Sequence, residues 1–512
     1  MFILTQHANT LSNYRVNPCG ILLKAVQEVG AVTYTHNYML SLKSLMWATT
    51  LVIVVTAGLY AFLGLPPGLD TYYGILFFHS IGIGIAALAT YLVISIFNLQ
   101  KYEPPIDFPI SYRAFAAVVF AAAGGVFYLS PTLDASFPDI PLGLYVVAFI
   151  LIGDVGGALF VQLLLMPRKQ AGTYAPKMKA FPPRMWPQYV LRMFPGRKDF
   201  SVYSKAGAGY WLALFSVGSA FIAGMIGFLN LWMMIFGVGI FSVFIPFFGD
   251  AGTFVAALAG PHSHDMGIAI MTGVVALVAT RFKFSDLKGS RRNVASLGLW
   301  ITSIGLVAVT VIFIFEAALN FAPPTLFQSG PDGVNGMAGD DTVMTITALG
   351  AMIALIPLAL TKLNGKSSWK DSVRLTLLGI WVAAVVNSVI EGFYIEFHED
   401  LFGSTLAANH DVFANVNPMF GIMTLAAMAL VLLGVDYYGV GGTMKRATGW
   451  LAGVGVLVAT LGTSLWTFVD PSIGGLSYWL YILGVLIMGA SGLSAIGIIY
   501  KAKIARISRS ET

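Results

Sequence analysis

The sequence predicts an all-α, polytopic membrane protein of about twelve transmembrane helices, with three pseudo-symmetric arcs of four suggested as its architecture. Three observations predict this class. Of 512 residues, 57% are hydrophobic and 10% charged, where soluble domains carry about 25% charged residues. Apolar runs of about 20 residues recur along the chain, the length that crosses a hydrocarbon core of roughly 30 Å at 1.5 Å per residue. Finally, the loops between these runs alternate between basic and acidic or neutral.

The runs fall at roughly 45–64, 72–98, 114–130, 142–166, 208–232, 262–281, 294–318, 342–361, 375–396, 412–435, 448–468 and 474–500. The segment 233–260 is also apolar and reads as an extension of the fifth span, a re-entrant element or an interfacial helix. Charge parity opposes a further full span there. The loop after the fourth span carries Arg168, Lys169, Lys177 and Lys179 among its cations, and Arg281, Lys283, Lys288, Arg291 and Arg292 follow the sixth. Lys362, Lys366 and Lys370 follow the eighth, and Lys445 and Arg446 the tenth. Intervening loops hold Asp332, Asp340, Glu399 and Asp400. The positive-inside rule therefore predicts cytoplasmic termini in a cell membrane. The expected layout is a cytoplasmic segment 1–44, a transmembrane domain 45–500 and a basic tail 501–512.

The same topology explains the net charge of +5, which needs no nucleic-acid partner. The single cysteine, Cys19, excludes an intramolecular disulfide framework and multi-cysteine iron–sulfur or zinc sites. The segment 1–44 lacks a short apolar core followed by a cleavage site and reads as retained.

Five of the seven histidines fall at one depth in this topology: His79, His262, His264, His398 and His410 sit at or near the outer ends of spans. His79 is about two turns inside the membrane, where a polar side chain needs a partner. That partner is either a neighbouring helix or a cofactor. His262 and His264 are two apart, about 200° on a helix, so only an extended segment aims both at one metal. Met266 adds a soft thioether, making His-x-His-x-Met suited to copper or haem; the other reading is a solvated rim. His398 and His410 read as surface or supporting groups. Three acids also lie at membrane depth: Asp154, Glu316 and Glu391. They are paired, protonated or placed on a water-filled proton path.

Spans two, six and ten share a short pattern: His79-Ser-Ile-Gly-Ile, His264-Asp-Met-Gly-Ile and Pro418-Met-Phe-Gly-Ile. These starting points are four spans apart, hence the expectation of three arcs.

Twelve spans with histidines at the outer ends of spans two and six, and with His410-Asp411 ahead of span ten, resemble the catalytic subunit of the heme-copper oxidase and nitric oxide reductase superfamily. The stretch from His410 to Phe420 is similar to that family's tenth-helix pattern HDxxxxxxHxH, with Pro418 and Phe420 where its haem ligands stand. The resemblance implies a haem ligand at His79 and a copper or iron ligand at His264 or His262. Met419 is the replacement axial ligand it suggests. The seventh span has no histidine where the family has a pair, so the ordinary oxygen-reducing centre is incomplete.

The expected function is a redox subunit carrying electrons through haem b or copper near the outer face. Its expected partners are the lipid bilayer, other membrane subunits, and an external electron-transfer protein or quinone. The alternatives are a cofactor-free transporter or proton-conducting subunit using Asp154, Glu316 and Glu391, and a structural scaffold.

Overall fold

A computed structural model describes residues 41–63, 72–101, 109–129, 139–173, 199–248, 250–251, 254, 258–319, 339–363, 366–390, 416–438, 441–469 and 475–510. Twelve long helices occur among them: α1 (Leu42–Leu63), α2 (Tyr72–Ile96), α3 (Ile110–Leu129), α4 (Asp139–Gln170), α5 (Ala208–Phe236) and α6 (Ala259–Arg281). Then come α7 (Ser290–Leu319), α8 (Gly339–Leu360), α9 (Ser372–Val385), α10 (Val416–Tyr438), α11 (Thr443–Phe468) and α12 (Leu476–Ser510). Ten are long and apolar enough to cross a membrane. The other two fall short for local reasons. α6 carries His262, His264, Asp265 and Arg281, and α9 has 14 residues before a π-helical turn, Val386–Ile390. The protein is an all-α, multi-pass membrane protein.

The order of neighbours gives the architecture. α2, α6 and α10 touch one another, and the other nine form a ring around them in the order α1, α3, α4, α5, α7, α8, α9, α11, α12 and back to α1. Apart from the slight α1/α10 contact, advancing a helix contact by four helices lands on another contact. The pairs α3/α4, α7/α8 and α11/α12 are thus equivalent, and the chain forms three four-helix arcs. The apolar windows of α2 and α10 are 61% and 67% buried, against 22–50% for the ring helices. Exposed Leu297, Ile304, Leu457 and Leu461 lie on that ring, as lipid-facing helices require.

Helix association in lipid rests on close packing, so small residues sit where backbones meet. A Cβ on Gly298 of α7 would lie 2.2 Å from the Ala354 nitrogen of α8, and one on Gly484 of α12 would lie 2.3 Å from the Ala459 nitrogen of α11. Neither neighbour is a side chain that can rotate away. Gly298→Val or Gly484→Val is expected to cost more than the roughly 1–3 kcal/mol of ordinary overpacking. The check is thermal unfolding of purified variants, and a wild-type midpoint in either would refute the close approach.

Among its described residues, the apolar segment after the fifth span holds no further helix long enough to cross a membrane. α5 extends to Phe236, a 3-10 turn covers Gly239–Phe244, a helical turn covers Ile245–Phe248, and α6 begins at Ala259. At the other end of the chain, the basic tail continues α12 through Ser510.

Candidate functional site

One stripe of α5 organises the polar residues of α6. Ser219, Ala223 and Gly227 recur every four residues on α5, so they share a face. Gly227 supplies space: a Cβ there would lie 2.4 Å from Nδ1 and Cε1 of His262. The imidazole therefore lies directly on the α5 backbone. One turn earlier, the Ala223 carbonyl is 2.8 Å from His262 Nδ1. A carbonyl only accepts, so Nδ1 carries the proton, and in the neutral ring Nε2 presents a bare lone pair.

That lone pair points at His79. The Nε2 atoms of His79 and His262 are 3.4 Å apart. Their ring centroids are 5.7 Å apart and the planes differ by 6°. Tips nearer than centroids in nearly parallel rings mean that the imidazoles meet tip to tip. Phe149 of α4 stands edge-on to His79 with centroids 5.2 Å apart. Two central helices and two ring helices thus converge on one nitrogen pair.

The pair differs from the sets expected from the sequence. His262 and His264 lie on one helix, which sends them to different neighbours. His264 is exposed, with its ring 6.0 Å from that of Phe313 on α7. Met266 turns to α5, where its Cε is 3.5 Å from the Cβ position of Gly224. The His262, His264 and Met266 cluster is therefore not assembled, because α6 is already helical at Ala259. Among the described residues no group of three or more His, Cys, Asp or Glu side chains could hold a metal. Met419 lies on the first turns of α10 and Glu316 near the end of α7. Glu391, His398, His410 and Asp411 lie outside the described residues.

Asp154 makes an ion pair with Arg113 of α3. The pairing supplies the partner that a carboxylate at membrane depth requires, the first of the alternatives expected for it. Sequence reading missed Arg113 because it started the third span one residue later.

It also missed Asp265. This side chain is fully buried, and its Oδ1 accepts from Ser219 Oγ at 2.7 Å and Thr310 Oγ1 at 2.9 Å. Ser219 and Thr310 are also 2.6 Å apart, and Thr310 donates to the Leu306 carbonyl at 2.9 Å. These four oxygen–oxygen contacts share two hydroxyl protons. Oδ2 is buried with no partner, and Asp265 forms no ion pair among the described residues. An unpaired carboxylate at this depth costs several kcal/mol. The signal was present in the sequence as an acid one position after His264, inside a span.

Comparison with protein-family models, curated protein sequences and solved structures finds no match.

Proposed function

We propose that this protein is a membrane redox subunit holding copper or a haem iron between His79 and His262. The observation that carries the reading is the tip-to-tip nitrogen pair, 3.4 Å apart, with one Nε2 bared by the Ala223 carbonyl. Imidazole nitrogens suit both metals, and a backbone partner on the far nitrogen is the usual way a ligand histidine is oriented. His79 and His262 would hold the metal through their Nε2 atoms, which already face each other across the α2–α6 contact. Gly227 leaves the cradle that seats the His262 ring. When bound, either metal supplies one-electron oxidation and reduction. The chain's own residues fix the ring tautomer, hold the two helices in register and exclude lipid from the pair.

Several parts of the proposal rest on the sequence. The alternation of basic and acidic loops supports a cell-membrane location with cytoplasmic termini and the histidine pair toward the outer face. The twelve-span plan supports kinship with the heme-copper oxidase superfamily and a place beside other membrane subunits and an external electron carrier or quinone.

Asp265 favours a second reading, a proton-conducting subunit. It lies one turn from His262 on α6 and joins two hydroxyls into a short hydrogen-bonded chain. Such groups at membrane depth mark proton relays.

The deciding measurement is metal content and the visible spectrum of purified protein, wild type against His79→Ala and His262→Ala. Each variant is expected to lose most of the bound metal or haem band while remaining folded, and His264→Ala is expected to retain it. Metal retained in both pair variants, or a metal-free wild type after loading with copper and haem, would refute the metal reading.

A further inference from the structure

A second polar site lies at the opposite end of the bundle, where the basic loops gather. A recess of about 350 Å³ opens between the α6–α7 turn and the end of α8. That size falls within the roughly 300–1,000 Å³ of small-ligand sites. Its walls include Lys283, Lys288, Arg291 and Lys362, with Asp286 as the one acid among the lining residues. Four cations less one carboxylate leave a formal charge of +3 around the recess. All four cations are exposed, and none forms an ion pair among the described residues.

The local backbone builds this concentration. Lys283 takes a left-handed conformation with φ 54°, and Gly289 takes φ 59°, so the chain reverses sharply between α6 and α7. A 3-10 turn, Phe284–Asp286, fills the interval, with Phe284 and Leu287 buried as anchors. The reversal places Lys283, Lys288 and Arg291 around one opening. Arg291 sits in the first turn of the 30-residue α7, whose positive dipole end adds to the field. Lys362 arrives from a two-residue antiparallel pairing, Lys362–Leu363 with Lys366–Ser367. The Thr361 hydroxyl on the wall is buried with no partner, a donor with no acceptor among the described residues.

Apolar surface adjoins this charge. Leu360, next to Thr361, is 69% exposed, and Leu297, six residues beyond Arg291, is 57% exposed. Both belong to ring helices whose ends form the recess, and Leu360 directly precedes Thr361 of its wall, so a ligand anchored there lies at the edge of the lipid-facing surface. An anionic phosphate joined to hydrocarbon tails matches both parts. We propose that the recess binds the phosphate headgroup of an anionic phospholipid. Basic pockets at helix ends recognise such headgroups through the same combination of charge and donors.

The test is native mass spectrometry of the full chain in detergent, titrated with phosphatidylglycerol, phosphatidylcholine or inorganic phosphate. Phosphatidylglycerol is expected to bind about tenfold or more tightly than phosphatidylcholine. Lys288→Gln with Arg291→Gln is expected to weaken it by about tenfold. Both residues are exposed, so an unchanged thermal midpoint should confirm folding. Lys101→Gln with Lys205→Gln removes the same charge elsewhere at that end and should leave affinity within about twofold. Equal binding of the two lipids, or unchanged binding by the recess variant, overturns the site. Inorganic phosphate that binds as tightly as phosphatidylglycerol and displaces it overturns the lipid assignment in favour of a free anion.

Discussion

Asp436→Ala is expected to destabilise the bundle by about 3–5 kcal/mol, the usual cost of removing one partner from a buried ion pair. Asp436 stands near the end of α10, the helix that touches both other central helices. Its Oδ2 accepts from Arg281 Nε of α6 at 2.9 Å, and its Oδ1 accepts from Lys445 Nζ of α11 at 2.8 Å. Arg281 also donates to the Asp436 carbonyl at 2.8 Å and lies 5.1 Å from the Tyr437 ring. Tyr437 in turn donates to the Ser95 carbonyl at the end of α2 at 2.9 Å. The carboxylate side chain is 6% exposed, so solvent screens little of this network. Alanine leaves two cations facing each other without their counter-charge. Asp436→Asn retains one acceptor and should cost less. Thermal unfolding in detergent is the check. A wild-type midpoint for Asp436→Ala would mean that the central helices are held by packing alone.

This clamp and the histidine pair lie toward opposite ends of the same three helices, and they were not equally legible. The all-α class and the number of helices followed from apolar run length and loop charge, which depend on the membrane rather than on tertiary detail. The Gly-Ile pattern after His79, His264 and Pro418 pointed to the helices that occupy the centre. The pairing of side chains was not readable in the same way. Whether His262 or His264 faces α2 depends on where α6 begins, and the apolar segment before it obscured that boundary. Gly227 and Ala223, which seat and orient His262, look like ordinary residues of an apolar span. Asp154 drew notice as an acid at membrane depth, yet its meaning depends on Arg113, which is on another helix. Asp265 met the same criterion but stands inside the His264-Asp-Met-Gly-Ile pattern, where the histidine draws the attention.

Asp265→Asn is expected to leave the fold within about 1 kcal/mol of wild type and, on the proton-conducting reading proposed above, to reduce proton transfer on the order of a hundredfold. The two effects separate because asparagine keeps the shape of the side chain and its acceptor oxygen but has no proton to exchange. Asparagine has the same shape, presents an acceptor to Ser219 and Thr310, and brings no charge. It cannot release a proton, so the chain from Asp265 through Ser219 and Thr310 loses its source. Proton flux in liposomes containing a pH-sensitive dye gives the first readout, and thermal unfolding gives the second. Metal content gives a third. Asp265 contacts Ser219 and Thr310, whereas His262 contacts Ala223, Gly227 and His79, so a substitution that keeps the side-chain shape should leave metal bound between the histidines unchanged. Lost flux with retained metal would assign proton movement to the α5–α6–α7 contact and electron movement to the α2–α6 contact. A folded, metal-replete variant with wild-type flux would remove Asp265 from the proton path and leave the histidine pair as the site of function.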